Sequence, residues 1–392
     1  MNFILLITTK IRDLLHIRNF NIIITIIPIL TFLLLLYLYI LTRYEHLISA
    51  IVFCLIPAIF AFFYVLILTP LVIFIAQKTK IMDQTTCHDL DKKPTPLLGG
   101  VSLYLSFVLV GLLYLPFTPQ WKSILIASSI IFVIGTIDDI RPLSSTIRLF
   151  GQISASFIIM SSGLMVSFMP DNFWGSVASV LITLIWILGI INATNFSDGV
   201  DGLAAGIIVI AALFFFFITL HLGQYHVSLI CTILIGCGMG FLVFNFKPAK
   251  IYLGDGGSTF LGFLIASIAL YGEWSSRGPI IALGIPVLIL GVLIFDMIYI
   301  TFSRIRNGHV NNFKEWLDYT GRDHFHHRLI NLGFSEKNSV IFIYIVCIVL
   351  GISALQIENA RLSYPVVIQL IQSTLIFLLI IMLMLMGRKL SN

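Results

Sequence analysis

Four polar side chains, Asn192, Asn195, Asp198 and Asp201, recur at every third position of NATNFSDGVDGLAAG, residues 192 to 206, directly behind an apolar run. In a helix or helix-terminal turn that spacing puts neighbours on one face. Gly199 and Gly202 remove bulk beside them and let the backbone break. Asn and Asp also favour caps and turns, so taken alone the segment reads equally as a link between two helices. Two more acidic segments shift the balance: Asp138 and Asp139 in GTIDDIRPLSS, and Asp255 in YLGDGGS. Gathered carboxylates repel unless cations join them, and their hard oxygens suit Mg²⁺, which binds through one or two carboxylates plus substrate phosphates. The same loops carry cations that seek phosphate: Lys92 and Lys93, Arg141 and Arg148, Lys247 and Lys250. The chemistry indicated is Mg²⁺-assisted phosphoryl transfer, with Mn²⁺ as a substitute ion.

A last polar loop contains GRDHFHHRL, residues 321 to 329. Arg322, His324, His326, His327 and Arg328 form a dense set of donors suited to a diphosphate or sugar phosphate. A zinc site and a solvated basic loop are the competing readings, and no cysteine stands nearby to favour zinc.

These loops need a frame. The chain is 59% hydrophobic and 10% charged over 392 residues, against about 25% charged in ordinary globular domains. It reads as an all-α, polytopic integral membrane protein. About twelve apolar stretches approach the roughly 20 residues a bilayer-crossing helix needs, near 19–42, 52–76, 98–117, 122–137, 149–169, 174–191, 203–221, 225–244, 257–271, 279–303, 338–356 and 364–386. Residues 1–45 read as an interfacial segment followed by an extra signal-anchor helix, and 46–392 as the polytopic domain, its motifs between about 80 and 345. With the first span running outward, the outer loops hold only Arg43, Lys122, Arg277 and Arg361 of the 23 Lys and Arg. The positive-inside rule then makes the acidic loops and both termini cytoplasmic. The net charge of +5 thus belongs to a membrane face, and nucleic acid is not an expected partner. Four of the five cysteines lie in spans and Cys87 in an inner loop, so no disulfide is expected.

Five stretches in order, KKPTPLLGG (92–100), GTIDDIRPLS (135–144), NATNFSDGVDGLA (192–204), FNFKPAKIYLGDGGS (244–258) and RDHFHHRL (322–329), resemble the polyprenyl-phosphate N-acetylhexosamine-1-phosphate transferases. The resemblance implies about 11–12 transmembrane helices with cytoplasmic active-site loops in a bacterial inner membrane. It implies that undecaprenyl phosphate attacks the sugar-bearing phosphorus of a UDP-N-acetylhexosamine, releasing UMP and starting a cell-surface polysaccharide. By position, Asp138, Asp139, His324, His326 and His327 correspond to the catalytic set, and Asp255 and Asn195 to the metal site. Lys92, Asn192, Asp198, Asp201, Asn245, Lys250, Tyr252, Arg322 and Arg328 correspond to substrate-binding positions, with Tyr252 against uracil. The acidic pair is expected to bind and activate the lipid phosphate. Membrane lipid surrounds such a chain, and a homodimer is compatible with the resemblance.

The branch that loads muramyl-pentapeptide ends on Pro-x-x-His-His-His-x-Glu, whereas this loop reads His324-Phe325-His326-His327-Arg328-Leu329. That is similar to the enzymes that start O-antigen, common-antigen or teichoic acid chains, with N-acetylglucosamine as the expected sugar. Transfer of phospho-N-acetylmuramoyl-pentapeptide is the nearest alternative. A secondary transporter is the rival from another class, but it would place polar groups at the midplane and show repeats, and none is evident here. A lipid phosphatase leaves the nucleotide-type stretch around Tyr252 without a purpose. Asp296, inside the tenth stretch, is expected to be structural.

Overall fold

The computed structural model describes residues 46–83, 94–275, 278–308, 310, 315, 321, 323–359 and 363–389. The interfacial and anchor reading of residues 1–45, and with it the first apolar stretch, lies outside the described residues. Every other stretch is helical: α1 (His46–Thr79), α2 (Gly99–Tyr114), α3 (Pro119–Ile140), α4 (Ser145–Ser161), α5 (Phe173–Phe196), α6 (Leu203–His221), α7 (Tyr225–Asn245), α8 (Gly254–Tyr271), α9 (Pro279–Ile289), α10 (Gly291–Arg306), α12 (Glu336–Asn359) and α13 (Ser363–Lys389). The short α11 (Phe325–Asn331) and the 3₁₀ turn Ser197–Gly199 lie outside that pattern. An apolar chain in lipid must satisfy its backbone internally, and helices do so segment by segment.

Among the described residues seven helices are long and apolar enough to cross a membrane, or eight if a bent pair is one span. That pair is the predicted stretch 279–303, which does not run straight: α9 and α10 meet at 80°. Pro286 inside α9 has no amide to donate, and Gly291 opens α10, a combination that breaks a helix. The helices α2 and α4 are shorter, at 16 and 17 residues, and α8 opens on the polar turn GDGGS.

Sequence sets the helix ends. Thr118 caps α3 by accepting from Trp121 N at 3.2 Å, with Pro119 in the first position where a missing amide is harmless. Asn172 caps α5 through Gly175 N at 2.8 Å. Hydroxyls inside the spans turn back on their own helix, as Thr183 does to Ser179 O and Ser267 to Phe263 O. The centre is α6, α7 and α8, buried along most of their length, whereas α13 turns most of its apolar residues outward.

A seam of glycines locks three helices together backbone to backbone. A Cβ on Gly100 of α2 would lie 2.4 Å from Gly257 N, and one on Gly135 of α3 would lie 2.7 Å from Asp255 O. Only glycine permits that approach, and small residues at helix contacts are what packing in lipid favours. The seam fixes the start of α8 against the end of α3.

Candidate active site

Asp138 and Asp139 occupy the last turn of α3, and Asp255 the first turn of α8. Asp139 Oδ1 accepts from Asp255 N at 2.7 Å and its Oδ2 from Gly256 N at 3.0 Å. It therefore caps α8 from a distance, placing a carboxylate where the helix dipole and unpaired amides want one. Gly254 opens that helix at φ +73°, and a Cβ there would lie 2.6 Å from Asp139 Oδ2. The neighbouring Asp138 faces elsewhere. Its Oδ1 accepts from Leu143 N at 2.5 Å, and its Oδ2 takes Arg148 Nη1 at 3.0 Å. The same Arg148 nitrogen is 3.5 Å from Asp255 Oδ2, so one guanidinium links both carboxylates.

The end of α5 supplies the next wall. Asn195 Nδ2 donates to Asp255 Oδ1 at 2.8 Å and to Ser258 Oγ at 2.9 Å, which orients the carboxylate of Asp255. Asn192, one turn earlier, donates to Gln152 Oε1 at 3.2 Å and to Leu188 O at 2.7 Å. A pocket opens here, lined among others by Arg148, Gln152, Asn192, Asn195, Asp255 and Thr259. Beyond Phe196 the chain leaves the α-helix for a short 3₁₀ turn, Ser197–Gly199, in which Asp198 already departs from helical backbone angles and after which Val200 is extended, so the three-residue spacing no longer keeps one face. Asp198 lies in that turn within electrostatic reach of Asp255, Asp139 and Asp201.

Asp201 and Asn245 act as stitches. Asp201 Oδ2 accepts from Ala249 N at 2.9 Å. Asn245 is buried, its Oδ1 accepting from Gly202 N and its Nδ2 donating to Ile251 O, both at 3.0 Å. Both ends of its amide are thus spent on joining two loops. Tyr252 is held by its backbone, donating to Pro96 O at 2.8 Å and accepting from Gly99 N at 3.0 Å. Lys250 is exposed on this loop, and Lys247 pairs with Glu336. From α12, Tyr344 Oη donates to Gly202 O at 2.5 Å, bracing the turn from behind.

The histidine loop hangs on α10. Asp296 Oδ1 accepts from Phe325 N at 2.9 Å, and Oδ2 holds His324 Nδ1 at 2.9 Å, which makes Nδ1 the protonated nitrogen. Arg304, 1% exposed, grips Asp323 with two bonds of 2.9 and 2.7 Å and stands 3.4 Å from His324 Nε2. Burial alone would raise the Asp323 carboxyl, but the Arg304 guanidinium holds it below the usual carboxylate range. His324 is thereby committed at both nitrogens. His326, 2% exposed, is different: its Nε2 has no hydrogen-bond partner among the described residues and lies 3.2 Å from where a Cβ on Gly199 would sit. Burial, then the neighbouring His327 and His324, pushes its pKa well below the ordinary histidine value. His327 packs on it, ring centroids 4.2 Å apart.

The structure thus joins Asp139, Asn195 and Asp255 directly and Asp138 to them through Arg148, and brings His326 to the turn that carries Asp198. Arg328 lies on α11, its backbone against Gly387. Lys92 and Arg322 lie outside the described residues. Missing from the expected site were Arg148 as the link between carboxylates, Gln152 beside it, and the brace of Asp296, Arg304 and Tyr344. Arg148 and Gln152 stand four apart on α4, on one face of one helix, a spacing visible in the sequence that by itself names no partner. Among the described residues no three His, Cys, Asp or Glu side chains group as metal ligands.

A helical membrane protein with carboxylates, a guanidinium and an open imidazole gathered at its helix ends is built to handle anionic substrates at a membrane surface. The model of glycosyl transferase family 4 matches residues 121–273. A probable undecaprenyl-phosphate N-acetylglucosaminyl 1-phosphate transferase of Bacillus subtilis (strain 168) is 34% identical over 305 residues, 76% of this chain and 83% of that protein. A decaprenyl-phosphate N-acetylglucosaminephosphotransferase of Mycobacterium leprae (strain TN) is 30% identical over 71% of this chain and 77% of its own. A phospho-N-acetylmuramoyl-pentapeptide-transferase of Streptococcus uberis is 33% identical, but over 50% of this chain and 65% of its own. The chain belongs to glycosyl transferase family 4, and it is an integral membrane enzyme that transfers phosphosugars.

Proposed function

We propose that the protein transfers N-acetylglucosamine 1-phosphate from UDP-N-acetylglucosamine to undecaprenyl phosphate, releasing UMP and opening the assembly of a cell-surface polysaccharide. One observation carries this reading: Asp138 and Asp139, Asn195 and Asp255, from three separate helix ends, meet through direct hydrogen bonds and one shared guanidinium. The names of the relatives that match most of the chain support the sugar and the lipid.

An oxygen of the lipid phosphate forms a bond to the sugar-bearing phosphorus, and the bond to the UMP oxygen breaks. A phosphate monoester loses its second proton near pH 6, so the attacking group needs little basic assistance. The work left to the protein is to hold two anions in line. Asp255, its side chain 36% exposed and oriented by Asn195, is the residue to hold Mg²⁺, with Asp198 within reach. When bound, that ion would offset the negative charge of the reacting phosphates. His326 offers its open Nε2 at the turn bearing Asp198, where a sugar phosphate or diphosphate oxygen could accept or share a proton. Asp201 and Asn245 keep the loop of Tyr252 and Lys250 in register for the nucleotide. The basic residues of the loops favour a cytoplasmic site and cytoplasmic termini in the cell membrane.

The test offers the purified protein undecaprenyl phosphate, Mg²⁺ and a panel of UDP-N-acetylhexosamines, and reads products by mass. UMP with undecaprenyl-diphospho-N-acetylglucosamine is the expected outcome. Hydrolysis without transfer, or transfer of another sugar alone, would overturn the reading. A cysteine at Lys250 that reacts with an impermeant thiol reagent from the periplasmic side would overturn the orientation.

A further inference from the structure

The acidic pair was expected to meet the lipid phosphate directly, but the structure leaves Asp138 little to meet it with. Its Oδ1 is taken by Leu143 N at 2.5 Å, its Oδ2 by Arg148 at 3.0 Å, and its side chain is 6% exposed. A carboxylate so tied is a poor base and a good anchor. What it anchors is more open: the Arg148 side chain is 33% exposed and lines the pocket. Its contacts to Asp138 and Asp255 both run through Nη1. A guanidinium is a planar fork of five donors, so holding a carboxylate by one nitrogen leaves donors for a second anion.

The rest of the pocket indicates which anion. Beside the guanidinium it is walled by Ile131 and Ile134 of α3 and Leu149 of α4, with Gln152 and Asn192 deeper along α4 and α5. A charged head next to an aliphatic wall matches a phosphate monoester on a hydrocarbon chain. Phe196, Ser145 and Thr259 also belong to the lining. Asp138 and Asp255 also bear negative charge, so a phosphate approaching them without Arg148 would meet repulsion on both sides.

We propose that Arg148 binds the phosphate of the polyprenyl acceptor, and that Asp138 is a positioning residue that holds Arg148 for this contact. The proposal rests on the transferase reading above, and assigns the acceptor side of that site.

The full-length protein in detergent is titrated with undecaprenyl phosphate, with undecaprenol and with inorganic phosphate, in EDTA so that no divalent ion contributes. Steady-state kinetics with Mg²⁺ follow on the same preparations. Arg148→Gln should weaken undecaprenyl phosphate about tenfold to a hundredfold, the range for losing a hydrogen bond to a charged group. The KM for UDP-N-acetylglucosamine should stay at its wild-type value, and undecaprenol, which lacks the phosphate, should bind both proteins alike. Asp138→Asn should show the same selective rise in acceptor KM, and Arg148→Lys, which keeps the charge but loses the fork, should fall between. Unchanged acceptor binding in Arg148→Gln, or a rise in donor KM instead, would overturn the proposal. If Arg148→Gln does not fold, Arg148→Lys decides in the same way. Wild-type protein that binds undecaprenyl phosphate yet transfers nothing from UDP-N-acetylglucosamine would sink the transferase reading, while the binding comparison still judges Arg148.

Discussion

Asp139→Asn exchanges one oxygen for an amide nitrogen, and the structure gives it a larger consequence than the same exchange at Asp138. In the native protein both Asp139 oxygens receive backbone amides of the first turn of α8, at 2.7 and 3.0 Å. Asparagine keeps one acceptor and presents an NH₂ group to the other amide, so one charge-assisted bond is lost, worth about 1.5–3 kcal/mol. Loss of the charge at a helix N-terminus adds about 0.3–2 kcal/mol, for a total of about 2–5 kcal/mol. In Asp138→Asn the amide can keep Leu143 N while the ion pair to Arg148 goes. That arginine is 33% exposed, so solvent screens the pair and about 1 kcal/mol is at stake. Melting of the purified variants in detergent, followed by intrinsic fluorescence, should rank wild type above Asp138→Asn and Asp138→Asn above Asp139→Asn. UMP release should fall with Asp139→Asn as well, because the turn it caps carries Asp255. A wild-type melting temperature for Asp139→Asn, or a larger drop at Asp138, would refute the division of labour between the two aspartates.

Gly135→Ala would set a methyl 2.7 Å from Asp255 O and should lower both melting temperature and activity, whereas Gly189→Ala, with nothing within 4 Å, should leave both intact. Equal behaviour of the two would argue against the seam. Arg304→Lys replaces a two-bond grip on Asp323 by one point charge in a buried place, and should reduce turnover more than it raises either KM, read in steady-state kinetics. For His326 the sign follows from burial. Its folded pKa is depressed, so the native state binds fewer protons than the unfolded chain, whose histidine titrates near 6.5. The stability from keeping it neutral is complete above about pH 6.5 and is lost as pH falls from there toward the lower folded value. Melting between pH 7 and pH 5 should therefore decline more steeply in wild type than in His326→Gln, and parallel curves would count against a buried neutral imidazole.

The helices were legible because their lengths and apolar content leave few alternatives in lipid, and α1, α6, α7 and α12 fall within a few residues of expectation. The bend between α9 and α10 was not. Pro286 and Gly291 mark a weak point, but an 80° turn depends on what receives α10 afterwards, here α5 and the histidine loop through Asp296 and Arg304. The acidic loops were legible as a group, their duties were not. Asp138 and Asp139 read as one motif, yet successive residues on a helix point about 100° apart, so one reaches Arg148 and the other α8. The regular spacing from Asn192 to Asp201 was read as one face of a helix or helix-terminal turn, but the non-helical backbone at Asp198 and the extended Val200 send Asp201 to Ala249 instead. Arg148 carried no signal of its ties to Asp138 and Asp255, because such pairings are made by the approach of α3, α4 and α8.

The contact of Gly100 with Gly257, and of Gly135 with the start of α8, has a bearing on how such an enzyme could change its habits. Where main chains touch, there are no side chains to trim or enlarge, so the spacing between Asp139 and Asp255 offers almost nothing for mutation to adjust. New preferences in sugar or lipid length must be written around the rim, in the loop at 247–252 and along the open edge of α4, while the floor stays as it is.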